Sequence, residues 1–291
     1  NTFKKQYRTP IEVHGDLEKQ QQLAQRVQPF LLRREKDEVA SELPPKTEIL
    51  QTVELEGDQA ELYESIRLAM DKRVREAIKT QGLARSHITI LDALLKLRQV
   101  CCDPRLLKLD QAKKVTQSAK LSLLMDLLPE QIEEGRRIIL FSQFTSMLAL
   151  IEEELKKYNI DYTKLTGQTI KRDEAIQRFR EGEVNLFLIS LKAGGTGLNL
   201  TEADTVILYD PWWNPAVEAQ AIDRAHRIGQ DKPVFIYRLM VSGSVEEKML
   251  AMQDKKRQLA KGIYSGKSKD ETPLLDTNTL QNLFSPLESG F

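Results

Sequence analysis

The sequence predicts an α/β fold: a parallel sheet with helices on both faces, preceded by a helical region. Three observations carry that prediction. From about residue 119 short β-rich runs alternate with amphipathic helical stretches, the βαβ pattern of a parallel sheet. Residues 11 to 115 instead show helical periodicity and little strand signal. A chain of 291 residues, 41% hydrophobic and 30% charged, has the length and composition of one large or two modest globular domains.

In the front region Leu62, Ile66, Ala69, Met70 and Arg73, then Ile90, Leu94, Leu97 and Val100, recur at helical spacing. Pro44-Pro45 stops a helix, and polar stretches at 80–86 and 110–118 separate the segments. Strand candidates follow at 138–141, 162–165, 186–189, 206–209 and 234–239. The helix after the first of these places Leu148, Ile151, Leu155 and Tyr158 on one face. It pairs Glu152 with Lys156, and Glu153 with Lys157, on the other. The resulting division is 1–115, 116–262, and a polar linker with a short amphipathic segment over 263–291.

Charge and composition exclude several classes. Forty-three basic residues balance 43 acidic ones, so any basic groove must be local. Cys101 and Cys102 are adjacent and are the only cysteines, which fits a reduced compartment. With His14, His87 and His226 scattered, no metal site is expected. No apolar run approaches the roughly 18 residues needed to span a bilayer, and no membrane partner is expected.

In open α/β sheets ligands gather at the carboxyl ends of strands, and two runs there carry chemistry. The first is Leu191-Lys192-Ala193-Gly194-Gly195-Thr196-Gly197-Leu198-Asn199-Leu200, whose glycines let backbone amides approach phosphate or ribose oxygens. A dinucleotide fingerprint fails because Leu200 stands where a third glycine belongs. The second begins at Asp210-Pro211-Trp212-Trp213-Asn214-Pro215 and opens a helix with Asn214 as N-cap, which is predicted to stop at Gly229. On that helix Gln220, Arg224 and Arg227 share one face, with Ala219, Ile222 and Ala225 toward the core. Two arginines projecting together suit the charge on a γ-phosphate in transfer.

With those residues in view, the back half resembles the Swi/Snf-type branch of superfamily-two helicase-related ATPases. The resemblance rests on Ile139-Leu140-Phe141-Ser142-Gln143-Phe144, Leu165-Thr166-Gly167, the 188–201 loop, Asp210 to Pro215, and Gln220 to Gln230, in matching order and spacing. In the front third, Leu31-Leu32-Arg33-Arg34, Leu43-Pro44-Pro45-Lys46 and Leu97-Arg98-Gln99-Val100-Cys101 resemble the helical protrusions between the family's two lobes. Asp103-Pro104 replaces the His-Pro pair of many relatives. The details are most similar to bacterial members.

The resemblance implies a RecA-like second lobe over 116–262, with the end of the first lobe and the protrusions before it. It implies Arg224 and Arg227 as arginine fingers, Gln220 as a phosphate-sensing neighbour, and Gly195 and Gly197 as shapers of the nucleotide loop. On the DNA side it implies Ser142, Gln143, Thr166, Gly167, Lys192 and Trp213 against one strand's backbone; packing in the core or against the other lobe stays open for Trp213. Arg33, Arg34, Lys255, Lys256 and Arg257 read as solvated faces, with DNA or lobe contact as the alternative. ATP and Mg²⁺ would be held mainly by a first lobe, because this sequence lacks a phosphate-binding G-x-x-x-x-G-K-[ST] loop. The run Gly262 to Ser268 is a residue short between its glycines and follows a helix, and with Asp270-Glu271 it reads as linker.

Asn1 is accordingly expected to lie just after a missing lobe. The implied partners are double-stranded DNA and that N-terminal RecA-like lobe, with a DNA-bound protein such as RNA polymerase as a further candidate. The implied location is the cytoplasm with the nucleoid in a bacterium, or the nucleus in a eukaryote. The rival reading is a non-catalytic DNA- or protein-binding platform derived from a motor lobe.

Overall fold

Six parallel strands form one sheet: β1 (Lys46–Val53), β2 (Ile138–Ser142), β3 (Tyr162–Leu165), β4 (Leu186–Ser190), β5 (Thr205–Leu208) and β6 (Val234–Val241), in the order β1-β6-β5-β2-β4-β3. The computed structural model describes residues 2–10, 16–27, 43–194, 197–212, 214–264 and 277–287. Arg33, Arg34, Gly195, Trp213 and the Gly266-Lys267-Ser268 run lie outside these, as do the side chains of Lys255, Lys256 and Arg257.

The chain forms two units, Asn1–Leu43 and Pro44–Phe291. In the first, a π-helical turn (Lys4–Arg8) precedes α1 (Leu17–Val27), and the Asp16 carboxylate accepts the Lys19 amide at 3.0 Å at the start of that helix.

The second unit holds the sheet and the helices α2 (Gly57–Gln81), α3 (His87–Cys102), α4 (Ala119–Glu133), α5 (Thr145–Lys157), α6 (Arg172–Arg180), α7 (Leu191–Gly194), α8 (Pro215–Ile222), α9 (Val245–Tyr264) and α10 (Thr277–Leu283). Strands β2, β4 and β5 are buried along their whole length, as central parallel strands covered on both faces must be. Alternation along β2 divides the core. Ile139 and Phe141 pack with Phe179 of α6 and Ile222 of α8, while Ile138 and Leu140 pack with Leu124 of α4 and Ile151 of α5. Each such side chain contributes about 1.5–3 kcal/mol on burial.

A third cluster is helical. It joins Leu62 and Ile66 of α2, Ile90, Leu94 and Leu97 of α3, Met249 of α9 and Leu283 of α10. The predicted periodicity holds for these positions, although Ala69 and Arg73 face solvent. Asp103 accepts the Arg105 amide at 2.9 Å with Pro104 opening a short 3₁₀ turn, so the Asp-Pro pair caps the turn that ends α3. Cys101 and Cys102 are free and fully buried.

Two expectations are corrected. The front region contains β1, an eight-residue strand pairing with β6 in register from Lys46↔Val234 to Val53↔Val241. It lies at the sheet's edge and alternates exposed with half-buried residues, so its mostly polar sequence carries little apolar signal. On α5, Leu148, Ile151 and Leu155 are buried as expected, but Tyr158 lies beyond the helix and is exposed. Glu152 there pairs with Lys164 at 2.6 Å and Lys157 with Glu154 at 2.8 Å, a nearby strand and a three-residue spacing replacing the predicted partners.

Candidate functional site

Because every strand runs the same way, all six carboxyl ends open on one edge, and the sequence-predicted motifs follow four of them. After β2, Ser142 is fully buried, and its hydroxyl donates to Asp210 Oδ1 at 2.6 Å. Gln143 donates its backbone N–H to the same carboxylate at 3.2 and 3.3 Å, and its buried Nε2 has no hydrogen-bond partner. After β3, Thr166 is buried, accepting the Gln168 amide on Oγ1 at 3.2 Å and donating its own amide to Thr169 Oγ1 at 2.9 Å. Those bonds hold a tight turn that leaves Gly167 exposed. After β4, Lys192 projects exposed from the single turn of α7.

The glycine loop meets the arginine segment directly. Gly197 sits at φ +57°, a conformation that favours glycine. Leu200 N–H donates to the Arg224 carbonyl at 2.9 Å, and Arg224 Nη1 donates to the Leu198 carbonyl at 3.3 Å. Arg224 Nε is buried without a partner. Arg227 is half-buried, and Gln220 is exposed on α8.

The long helix expected here is shorter than its pattern. Asn214 caps α8 as predicted, accepting the Ala216 amide at 3.1 Å with Pro215 in the first turn, but the helix ends at Ile222. Arg224 and Arg227 therefore stand on a run of turns, not on one helical face with Gln220. Beyond Ile222 the bonding tightens to three-residue spacing, Arg224 N–H donating to the Ala221 carbonyl and Ala225 N–H to the Ile222 carbonyl. The turns are tied from outside by Leu200 N–H on the Arg224 carbonyl and buried Gln230 Nε2 on the Ala225 carbonyl at 3.0 Å. Ile222 and Ala225 are buried as expected, whereas Ala219 is exposed.

Sequence reasoning missed the residues that fix the loop after β5. Arg98 of α3 donates Nη2 to the Pro211 carbonyl and lies 4.0 Å from Asp210 Oδ2. Glu218 of α8 accepts the Trp212 amide at 2.7 Å and the Arg238 guanidinium, and Gln253 of α9 donates to the Trp212 carbonyl at 2.6 Å. Burial pushes the Asp210 carboxyl up from its ordinary value, opposed by Arg98 and by the Ser142 hydroxyl. A signal existed: Arg98 occupies an inward position of an otherwise apolar stripe with Leu94, Leu97 and Cys101.

Among the described residues no group of His, Cys, Asp or Glu could hold a metal ion, and no helix is long and apolar enough to cross a membrane. A cleft of about 740 Å³ lined by Glu54, Glu56, Arg105, Asp126 and Glu154 contains none of the predicted site residues.

Comparison with known proteins gives the same assignment from two directions. The helicase conserved C-terminal domain matches residues 119–229, and the SNF2-related domain matches residues 1–106. The chain is 37% identical over 290 residues to the putative ATP-dependent helicase/translocase YwqA of Bacillus subtilis, covering 97% of this chain and 31% of that protein. It spans about a quarter to a third of the length of the curated relatives it matches. Among solved structures it is similar to the Sulfolobus solfataricus SWI2/SNF2 ATPase core in complex with dsDNA, with TM-score 0.66 and 32% identity over 97% of this chain and 59% of that one. The C-terminal domain of the Sulfolobus ATPase is similar at TM-score 0.62 and 29% identity, over 84% of this chain and 99% of that one.

Proposed function

The chain belongs to the SWI2/SNF2 family of ATP-dependent helicases and translocases, and on that premise we propose that it is the C-terminal motor lobe of a double-stranded DNA translocase. The observation that carries this reading is the locked pair formed by the 197–200 loop and the Arg224 segment, with a buried guanidinium N–H left unpaired. An unpaired buried donor is unfavourable, and a turn of the guanidinium toward the sheet's carboxyl edge would let a γ-phosphate oxygen satisfy it. Arg224 and Arg227 then neutralise charge on the equatorial oxygens while water attacks phosphorus and ADP leaves. Arginines in that role are worth about 10³ to 10⁵ in rate.

Gln220, Gly195 and Gly197 border the same nucleotide. Among the described residues no group of three or more His, Cys, Asp or Glu could hold a metal ion; we assign the ion and the triphosphate mainly to another lobe, whose closure on this one would assemble the site. The chain alone is then inactive as an ATPase.

On the DNA side, Gln143, Thr166, Gly167, Lys192 and Trp213 engage one strand's phosphates and sugars. Helix α5 begins two residues after Gln143 without a side-chain cap, so its positive end adds to the attraction. Backbone contact suits a motor that steps through any sequence, since phosphates carry no base code. Ser142, expected as a direct contact, is spent on Asp210 and supports the turn. A relative solved with dsDNA supports the choice of ligand.

The test is Arg227→Ala in the full-length protein: duplex-stimulated turnover should fall by about 10³-fold or more with ATP binding retained. Unchanged turnover would remove the finger assignment. A full-length parent without any DNA-stimulated turnover would favour the non-catalytic platform.

A further inference from the structure

We infer that Arg98 is a positioning residue for DNA engagement: from the helical layer it sets the loops after β5 and β2 that flank the proposed backbone grip. The inference rests on the DNA-translocase reading above. Arg98 is only 2% exposed. Its Nη2 donates to the Pro211 carbonyl and faces Asp210 Oδ2 at 4.0 Å, and Asp210 in turn receives Ser142 Oγ at 2.6 Å and the Gln143 amide at 3.2 Å. One guanidinium thereby ties the ends of two adjacent strands to α3. The next residue is held the same way, with Gln253 of α9 on the Trp212 carbonyl and Glu218 of α8 on the Trp212 amide. Helices α3 and α9 share one hydrophobic cluster, so consecutive carbonyls of the loop are held from one helical layer.

Stability alone accounts poorly for this arrangement. A buried ion pair is often no better than well-packed apolar side chains of the same volume, and Arg98 Nε has no partner. What the guanidinium supplies is placement, since its Nη2 meets the Pro211 carbonyl while lying 4.0 Å from the Asp210 carboxylate. A lysine presents a point charge on a shorter reach. Displacing the Asp210 carboxylate would loosen the bonds that hold the Gln143 amide, and a shift of about 1 Å at a positioned group is enough to matter.

The experiment uses the full-length protein and measures ATP turnover against duplex DNA concentration and against ATP concentration. Arg98→Lys should raise the half-saturating DNA concentration about tenfold or more, with the KM for ATP unchanged. A merely structural role lowers the active fraction, so a reduced maximal rate at an unchanged half-saturating DNA concentration would overturn the inference. Gln253→Ala is the second variant and decides the matter if Arg98→Lys does not fold: a threefold or so rise supports the inference, and no rise overturns it. A wild-type protein whose turnover ignores DNA overturns the translocase reading itself. Stimulated wild type with an unaffected Arg98→Lys overturns the positioning role alone.

Discussion

Lys120 and Glu246 are each fully buried, and each needs the other. The ammonium donates to Glu246 Oε1 at 2.7 Å and to the Tyr209 carbonyl at 3.0 Å, while Glu246 Oε2 accepts the Val241 amide at 3.1 Å. Burial acts to lower the Lys120 pKa, but the Glu246 carboxylate outweighs it, and the pKa lies above the ordinary lysine value. Removing one partner strands the other charge in the interior, so Lys120→Met should cost about 3–5 kcal/mol, read from urea denaturation. The double variant Lys120→Met/Glu246→Leu should recover much of that loss. A single variant as stable as the parent would mean the carboxyl is already neutral. Neither residue is conspicuous in the sequence. Lys120 stands near the start of a helix where lysines are usually solvated, and its partner is distant along the chain, so only the fold shows that the two meet.

The turns after α8 are held by hydrogen bonds from outside the helix. Gly229 closes them at φ +100°. A Cβ there would meet nothing nearer than Thr201 Cγ2 at 3.9 Å, so Gly229→Ala is opposed by backbone conformation and not by crowding. It should cost about 1–2 kcal/mol, measured as a shift in the denaturation midpoint, and an unshifted midpoint would show that the turn tolerates another conformation. The N-cap at Asn214 was legible, being a local signal. The stop predicted at Gly229 is not where the helix ends: it ends at Ile222, and the turns beyond it are tied by Leu200 N–H and Gln230 Nε2 from outside the helix. Five strands announced themselves as short β-rich runs. The sixth, β1, did not, because an edge strand buries little and Lys46, Thr47 and Glu48 are exposed.

At the scale of the whole molecule, balanced charge hides a local arrangement. The alternation of strands and helices made the parallel sheet legible, and with it the expectation that motifs scattered between residues 142 and 210 share one edge. The order of the strands was not legible, since it depends on which crossovers pack against which face. If that edge grips phosphates, a log–log plot of DNA affinity against salt in the full-length protein should be steep. Lys192→Ala should make its slope shallower by about one unit, and an unaltered slope would place Lys192 away from the backbone. The sheet's parallel edge pair has a separate bearing on how the protein is made. On a ribosome adding about 5–20 residues per second, β6 emerges roughly 10–40 s after β1, and in that interval the strand that β1 pairs with here has not been made. The exposed charges of Lys46 and Glu48 act as gatekeepers during that wait. Neutralising both would leave the finished fold intact while making the nascent chain more dependent on chaperones.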